Sequence, residues 1–402
     1  MNGPGLAERI AVDLKDPEQV AHRHRPAPSW RQSLANGALG IALLHVERAR
    51  TGRSPWTTAH TWLRYATTGP IDDGPDSHLH YGAPALATIL LHATAHDPRR
   101  YARALDTLDA RIAPTTTARV EHAHRRIDTG QTPALAEFDA IRGLTGLGTY
   151  WHHRDPHGPV LRAVLTYLVR LTEPLPYGRP GWWTHLAPDG RRSPHFPHGH
   201  GNNGIAHGIA GPLALLALTH RGGVRVPGHT HALERILAWL DQHQEGDDHL
   251  RWWPYWTTPT FDRPSRPGRP SWCYGTTGIA RAQQLAGLAL NDTTHTRTAE
   301  ATLHTTITAP HLPEQLNNAG LCHGTSGALL LARRAAADSP NHQLAAAAAS
   351  LQQQVENDPR TAAAASPGAP PDLLCGAAGI ALALDDHHTD TDTGWDICLL
   401  TS

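Results

Sequence analysis

Long apolar runs are missing from this chain. No stretch approaches the roughly 20 residues a helix needs to cross a bilayer, so membrane insertion by a helical span is not expected. The first twenty residues, MNGPGLAERIAVDLKDPEQV, lack a basic segment followed by an apolar core and a small-residue cleavage site, so no secretory signal is expected either. Cysteine is scarce: four residues in 402, at positions 273, 322, 375 and 398, are too few to staple a chain of this length. In the cytoplasmic setting these absences imply, metal binding or catalysis is the better use of such thiols. Charge of one sign is lacking too. A formal net charge of -1 offers no field to a nucleic acid or an anionic membrane, and neither is expected as a partner. Phe is rare, at 3 residues against 12 Trp, but Ala and the aliphatic residues suffice for a large core. The 30 histidines, including His152-His153 and His387-His388, read mostly as solvated surface composition.

What the chain does have is an internal repeat. A Gly-x-x-Gly signature followed by small or aliphatic residues recurs as GALG at 37–40, GLTG at 143–146, GIAG at 208–211, GTTG at 275–278, GTSG at 324–327 and GAAG at 376–379. A further copy, GAPA at 82–85, lacks its closing glycine, which predicts a local distortion. Successive first glycines stand 45, 61, 65, 67, 49 and 52 residues apart, room for two helices and their connections each time. The residues after each signature are apolar nearly all round, as in 40–44, 212–218 and 328–332, and predict buried inner helices. Amphipathic spacing over 161–171 and 232–240, weaker over 303–307 and 344–355, predicts outer helices with one solvated face. Seven helix pairs, with glycines allowing close backbone approach, predict an all-α fold, an α/α toroid occupying 1–402 as one domain. An open solenoid is the structural alternative. Loops at 70–80, 188–204, 254–271 and 359–372, rich in Pro, Gly and His, are expected at the lip, and 99–131 is the one place for an insertion.

Position within the repeat carries the chemistry. Cys273 and Cys322 stand two residues before a first glycine, and His207, Tyr274, His323 and Cys375 stand one before. Equivalent positions lie at one end of a ring, so two thiols and an imidazole distant in sequence converge near its axis. Cys and His suit zinc, and three protein donors leave a fourth tetrahedral position open, as catalytic sites do. Taken singly, each has a plainer reading: a buried Cys is a small hydrophobe and a lone His a hydrogen-bonded one. Cys375, one step out of phase with the other cysteines, reads as core, though a fourth ligand stays open. Cys398, outside any signature, reads as structural.

WCYG at 272–275, LCHG at 321–324 and AHG at 206–208 resemble the signature motifs of the lanthionine synthetase C-like family, the lanthipeptide cyclases. The resemblance covers nearly the whole chain through its seven repeats. It implies an α/α toroid whose zinc is bound by Cys273, Cys322 and His323 and activates a peptide cysteine. It also implies acid/base or stabilising roles for His207, for Asp139 four residues ahead of the third signature, and for Arg269 four residues before Cys273. Without the resemblance Asp139 reads as a helix cap, Arg269 as a surface charge, and Trp272 and Tyr274 as packing aromatics. The implied reaction is intramolecular addition of a Cys thiolate to dehydroalanine or dehydrobutyrine. Because the repeats consume the chain, the expected substrate is a dehydrated precursor peptide supplied by a separate dehydratase. An intermolecular glutathione transferase and a non-enzymatic, zinc-stabilised peptide-binding scaffold are the competing readings.

Overall fold

In the computed structural model, which describes residues 5–95, 97–175, 178–247, 250–259, 266–386 and 394–402, helices account for nearly all regular structure. The chain runs through α1 (Leu6–Asp13), α2 (Pro17–His24), α3 (Ala38–Arg50), α4 (Trp56–Ala66), α5 (Ala83–Ala93), α6 (Ala102–Asp128), α7 (Leu135–Phe138), α8 (Leu144–Arg154) and α9 (Pro159–Leu171). It continues with α10 (Ala210–Arg221), α11 (His229–Gln242), α12 (Thr276–Leu290), α13 (Thr293–Thr308), α14 (Leu312–Gln315), α15 (Thr325–Ala337), α16 (His342–Asn357), α17 (Pro359–Ala363) and α18 (Ala377–Asp385).

Each glycine signature starts an inner helix: α3, α5, α8, α10, α12, α15 or α18. Their composition explains their place. Every residue of α3 from Ala38 to Ala49 is buried, which only a helix surrounded by others permits. Around the ring α3 packs on α5, α5 on α8, α8 on α10, α10 on α12, α12 on α15, α15 on α18, and α18 back on α3. The ring is closed, which rules out the open solenoid. Outside it, α4, α6, α9, α11, α13 and α16 each cover the inner helix they follow. The seventh outer place, against α18, is taken by α1 from the other end of the chain. Arg48 of α3 fastens this closure, its guanidinium meeting Glu8 of α1 and Asp385 of α18.

The segment at 99–131 is no insertion: it is α6, the second outer helix, 27 residues long with Pro114 inside it. Leu105, Leu108, Ile112, Thr116, Val120 and Ala123 make one buried stripe along it. Two of the lip loops contain short strands, β1 (Gly201–Asn202) and β2 (Trp256–Thr257), paired antiparallel. The stretch at 359–372 begins with the single turn of α17 rather than a loop. His153 is exposed and His152 partly so, while His387 and His388 lie outside the described residues.

The closing glycines hold the signature loops against the ring. A Cβ on Gly40, Gly146, Gly211, Gly278, Gly327 or Gly379 would sit 2.5, 2.4, 2.5, 2.0, 1.9 or 1.9 Å from the carbonyl oxygen six residues earlier. No side chain fits there. The loops are then stitched to one another through their backbones. Ala140 N–H bonds to Ala206 C=O at 3.0 Å, Ala206 to Cys273 at 3.1 Å, Cys273 to Cys322 at 3.2 Å, Cys322 to Leu374 at 2.8 Å, and Leu374 to Ala35 at 3.0 Å. Leu34 N–H continues to His80 C=O at 2.9 Å. Between the second and third loops the link is a side chain, the His78 ring against the Ile141 carbonyl. This is the expected local distortion. Gly82 has φ +75 where Gly37, Gly143, Gly275, Gly324 and Gly376 are extended, and Ala85 takes the place of the missing glycine.

Residues 394–402 enter the interior of the ring and support the loop that carries Cys273. Trp395, Leu399 and Leu400 are buried. The Trp272 indole N–H donates to Leu399 C=O at 2.9 Å, and Arg281 reaches Thr401 C=O at 2.8 and 3.0 Å. Asp396, fully buried, accepts from Arg334 at 2.9 and 3.1 Å, which compensates the desolvation of both charges.

Candidate metal centre

The backbone stitching decides where the donors go. Cys273 and Cys322 occupy the same position in adjacent loops, joined by the hydrogen bond between them, so both sulfurs project on the same side. His323 follows Cys322 directly. The two Sγ atoms and a His323 ring nitrogen all lie within 4.8 Å of one another. Tetrahedral zinc with bonds of about 2.0–2.3 Å needs donor spacings of roughly 3.3–3.8 Å, so small side-chain adjustments suffice, and the donor chemistry fits. The two thiols are coupled: Cys322, with His323 and Ser271, holds the Cys273 thiol well below its usual range, while Cys273 and Cys375 push Cys322 above it. Ser271 adds a contact, its Oγ 3.4 Å from Cys273 Sγ. The bond to Cys273 also raises the His323 pKa.

Beside the three donors opens a cavity of about 710 Å³ lined by His207, Tyr255, Arg269, Tyr274 and Leu374. His207 Nδ1 lies 2.7 Å from Asp139 Oδ2. A carboxylate only accepts, so Nδ1 carries the proton in that bond and Nε2 is left free. Asp139 is buried, and its other oxygen accepts from the backbone N–H groups of Arg142 and Gly143 at 2.6 and 2.7 Å. One carboxylate thus makes two kinds of contact: Oδ1 ties the loop ahead of α8, not the helix start that a cap would hold, and Oδ2 orients the imidazole. Ser33 and Asp372, at the same place in the first and seventh loops, perform only the loop-tying half, accepting from Asn36 and Cys375 N–H at 3.0 and 2.8 Å. Arg269 is no free surface charge: it stands on the cavity wall near His323.

Trp272 is buried, as a packing aromatic is expected to be, but Tyr274 is only half-buried. Burial pushes the Tyr274 hydroxyl up to about 12, against a hydrogen bond with Asn202. Tyr274 stacks obliquely on His207, Tyr255 and Trp256 at centroid distances of 5.9, 5.4 and 6.0 Å, forming an aromatic wall. Ser271, Asn202 and Tyr255 went unnoticed in the sequence. Ser271 was within reach, since it is the fifth loop's counterpart of Asp139. Cys375 is a correction: it is exposed, not core, and its thiol hydrogen-bonds to Cys322. Cys398 is buried in the interior, as expected of a structural residue.

A sequence model described as lanthionine synthetase C-like protein matches residues 28–400. The chain belongs to that family. Among its lanthionine synthetase C-like relatives, nisin biosynthesis protein NisC of Lactococcus lactis subsp. lactis is 25% identical over 264 residues, 62% of this chain. The match spans 60% of that relative's length. The solved structure titled nisin cyclase superposes with a TM-score of 0.77 at 21% identity, over 98% of this chain and 96% of that one, a likeness of fold. Among the described residues of this lanthionine synthetase C-like chain, no helix is long and apolar enough to cross a membrane.

Proposed function

We propose that this protein is a zinc-dependent lanthipeptide cyclase, acting on a precursor peptide that a separate dehydratase has already dehydrated, in the cytoplasm. It joins cysteine thiols of that peptide to its own dehydroalanine and dehydrobutyrine residues, forming lanthionine and methyllanthionine rings. The observation that carries this reading is the compact Cys273, Cys322 and His323 donor set opening on a cavity that also holds His207 and Arg269. Those three residues would hold the zinc, leaving one position for a peptide thiol. Zinc held there would supply acidity, lowering the pKa of a peptide thiol from its ordinary value of about 8.5.

The remaining work falls to side chains. The peptide sulfur bonds to the β-carbon of the dehydro residue, the π pair moves onto the α-carbon and its carbonyl, and one proton must reach the α-carbon. His207, its Nδ1 fixed by Asp139, presents Nε2 to take up the thiol proton and return it at carbon. Asp139 is the positioning residue that sets this tautomer. Arg269 provides positive charge to the enolate from the cavity wall. The aromatic wall of Tyr255, Trp256 and Tyr274 gives the peptide an apolar surface and limits water.

Addition leaves the peptide mass unchanged, so the test counts free thiols. A dehydrated precursor incubated with the protein is expected to lose one alkylatable cysteine per ring, faster than the no-enzyme control and more slowly after chelation. A constant thiol count with enzyme-dependent attachment of glutathione would replace cyclisation by intermolecular transfer. No reaction of either kind with the site intact would leave the peptide-binding scaffold.

A further inference from the structure

Cys375 is the one exposed thiol beside the donor set, and nothing in the proposed reaction uses it. Exposed free cysteine is uncommon, and this one has a defined place. It stands directly before the first glycine of the seventh loop, as His323 does in the sixth. The bond from Cys322 N–H to Leu374 C=O lays those two loops side by side. Asp372 Oδ1 holds the Cys375 backbone N–H at 2.8 Å, so the residue's position is set while its side chain stays in the open. Its thiol neighbours that of Cys322, outside the three donors that lie within 4.8 Å of one another. A change of χ1 between staggered positions moves a sulfur by a few ångströms, enough to turn it from the rim of the group toward its centre.

We propose that Cys375 is a reserve donor to this centre, its sulfur filling the fourth position until a peptide thiol displaces it. The inference rests on the metal reading of Cys273, Cys322 and His323. The exchange balances as one thiol for another: the peptide cysteine gives up a proton, Cys375 takes one on, and the donor set remains three sulfurs and one nitrogen. Such a residue keeps the centre from binding stray small thiols between turnovers, and it makes entry of the peptide a competition.

Cobalt(II) reports the number of bound thiolates through its sulfur-to-metal charge-transfer absorbance. Cys375 is exposed, so Cys375→Ala is expected to fold. It is expected to bind one cobalt per chain with charge-transfer absorbance lower by about one third, as three thiolates become two. In the parent protein, alkylation of Cys375 followed by peptide mapping is expected to slow when cobalt alone is added. Cys273→Ala tests the underlying centre separately and is expected to lose the cobalt. If Cys273→Ala loses it while Cys375→Ala keeps the parent spectrum and Cys375 alkylates equally with and without cobalt, the reserve donor is overturned and the centre stands. If Cys273→Ala binds cobalt as the parent does, the centre is misassigned and the inference falls with it.

Discussion

The loops of the first and second repeats and those of the fourth to sixth hold matching places in the ring, yet only the second group lines the cavity with thiols and imidazoles. Ala35-Asn36 and His80-Tyr81 occupy the places that Ala206-His207, Cys273-Tyr274 and Cys322-His323 occupy across the ring. Both arcs are stitched by the same kind of inter-loop hydrogen bond. His80 is buried without lining the cavity. The ring is thus a frame that presents two side-chain positions per repeat, and function depends on what fills them.

The largest expected effects come from emptying those positions without touching the frame. His207→Ala and Asp139→Asn are expected to slow ring formation by about 10²–10⁴-fold while keeping the metal, the contribution typical of general acid-base groups. Asn is the informative choice for Asp139, because Ala also removes the loop tie to Arg142 and Gly143. Wild-type single-turnover rates in either variant would remove that residue from the mechanism.

Breaking the frame is expected to act on stability. In Gly327→Ala the new Cβ meets Leu321 C=O at 1.9 Å, with a cost of about 3 kcal/mol in urea unfolding. Because Leu321 precedes Cys322, metal affinity should fall with it. Unchanged stability would show that the close approach is dispensable. Trp272→Phe leaves the Leu399 carbonyl without its donor, a loss of about 1 kcal/mol with metal retained. Ala85→Gly restores the signature in the second loop and is expected to do least. It loses about 0.5–1 kcal/mol, because Gly82 has already taken another conformation and the helix gains only flexibility. A stabilising Ala85→Gly would show that the second loop is a strained copy of the others.

Legibility in the sequence followed the range of the interactions. Glycine spacing is local, and it sufficed for the inner helices and for the convergence of Cys273, Cys322 and His323. Ring closure through α1 was not legible, because it depends on Glu8, Arg48 and Asp385 meeting from distant parts of the chain. Pro114 disguised α6, although the buried stripe on both sides of it has helical spacing. Asp139 is the clearest limit. Its position alone suggests a helix cap, but one oxygen ties the loop before α8 and the other finds His207 only through the bond that brings Ala140 to Ala206. Cys375 reads as core when its phase is set against the other cysteines; set against His323 it falls in step, one residue before its signature's first glycine.

Metal stoichiometry tests most directly whether the donors gathered on one arc form a metal centre. One zinc per chain is predicted for the parent protein, with most of it lost in Cys273→Ala and in Cys322→Ala and retained in His207→Ala. Full zinc occupancy in both cysteine variants would contradict the account.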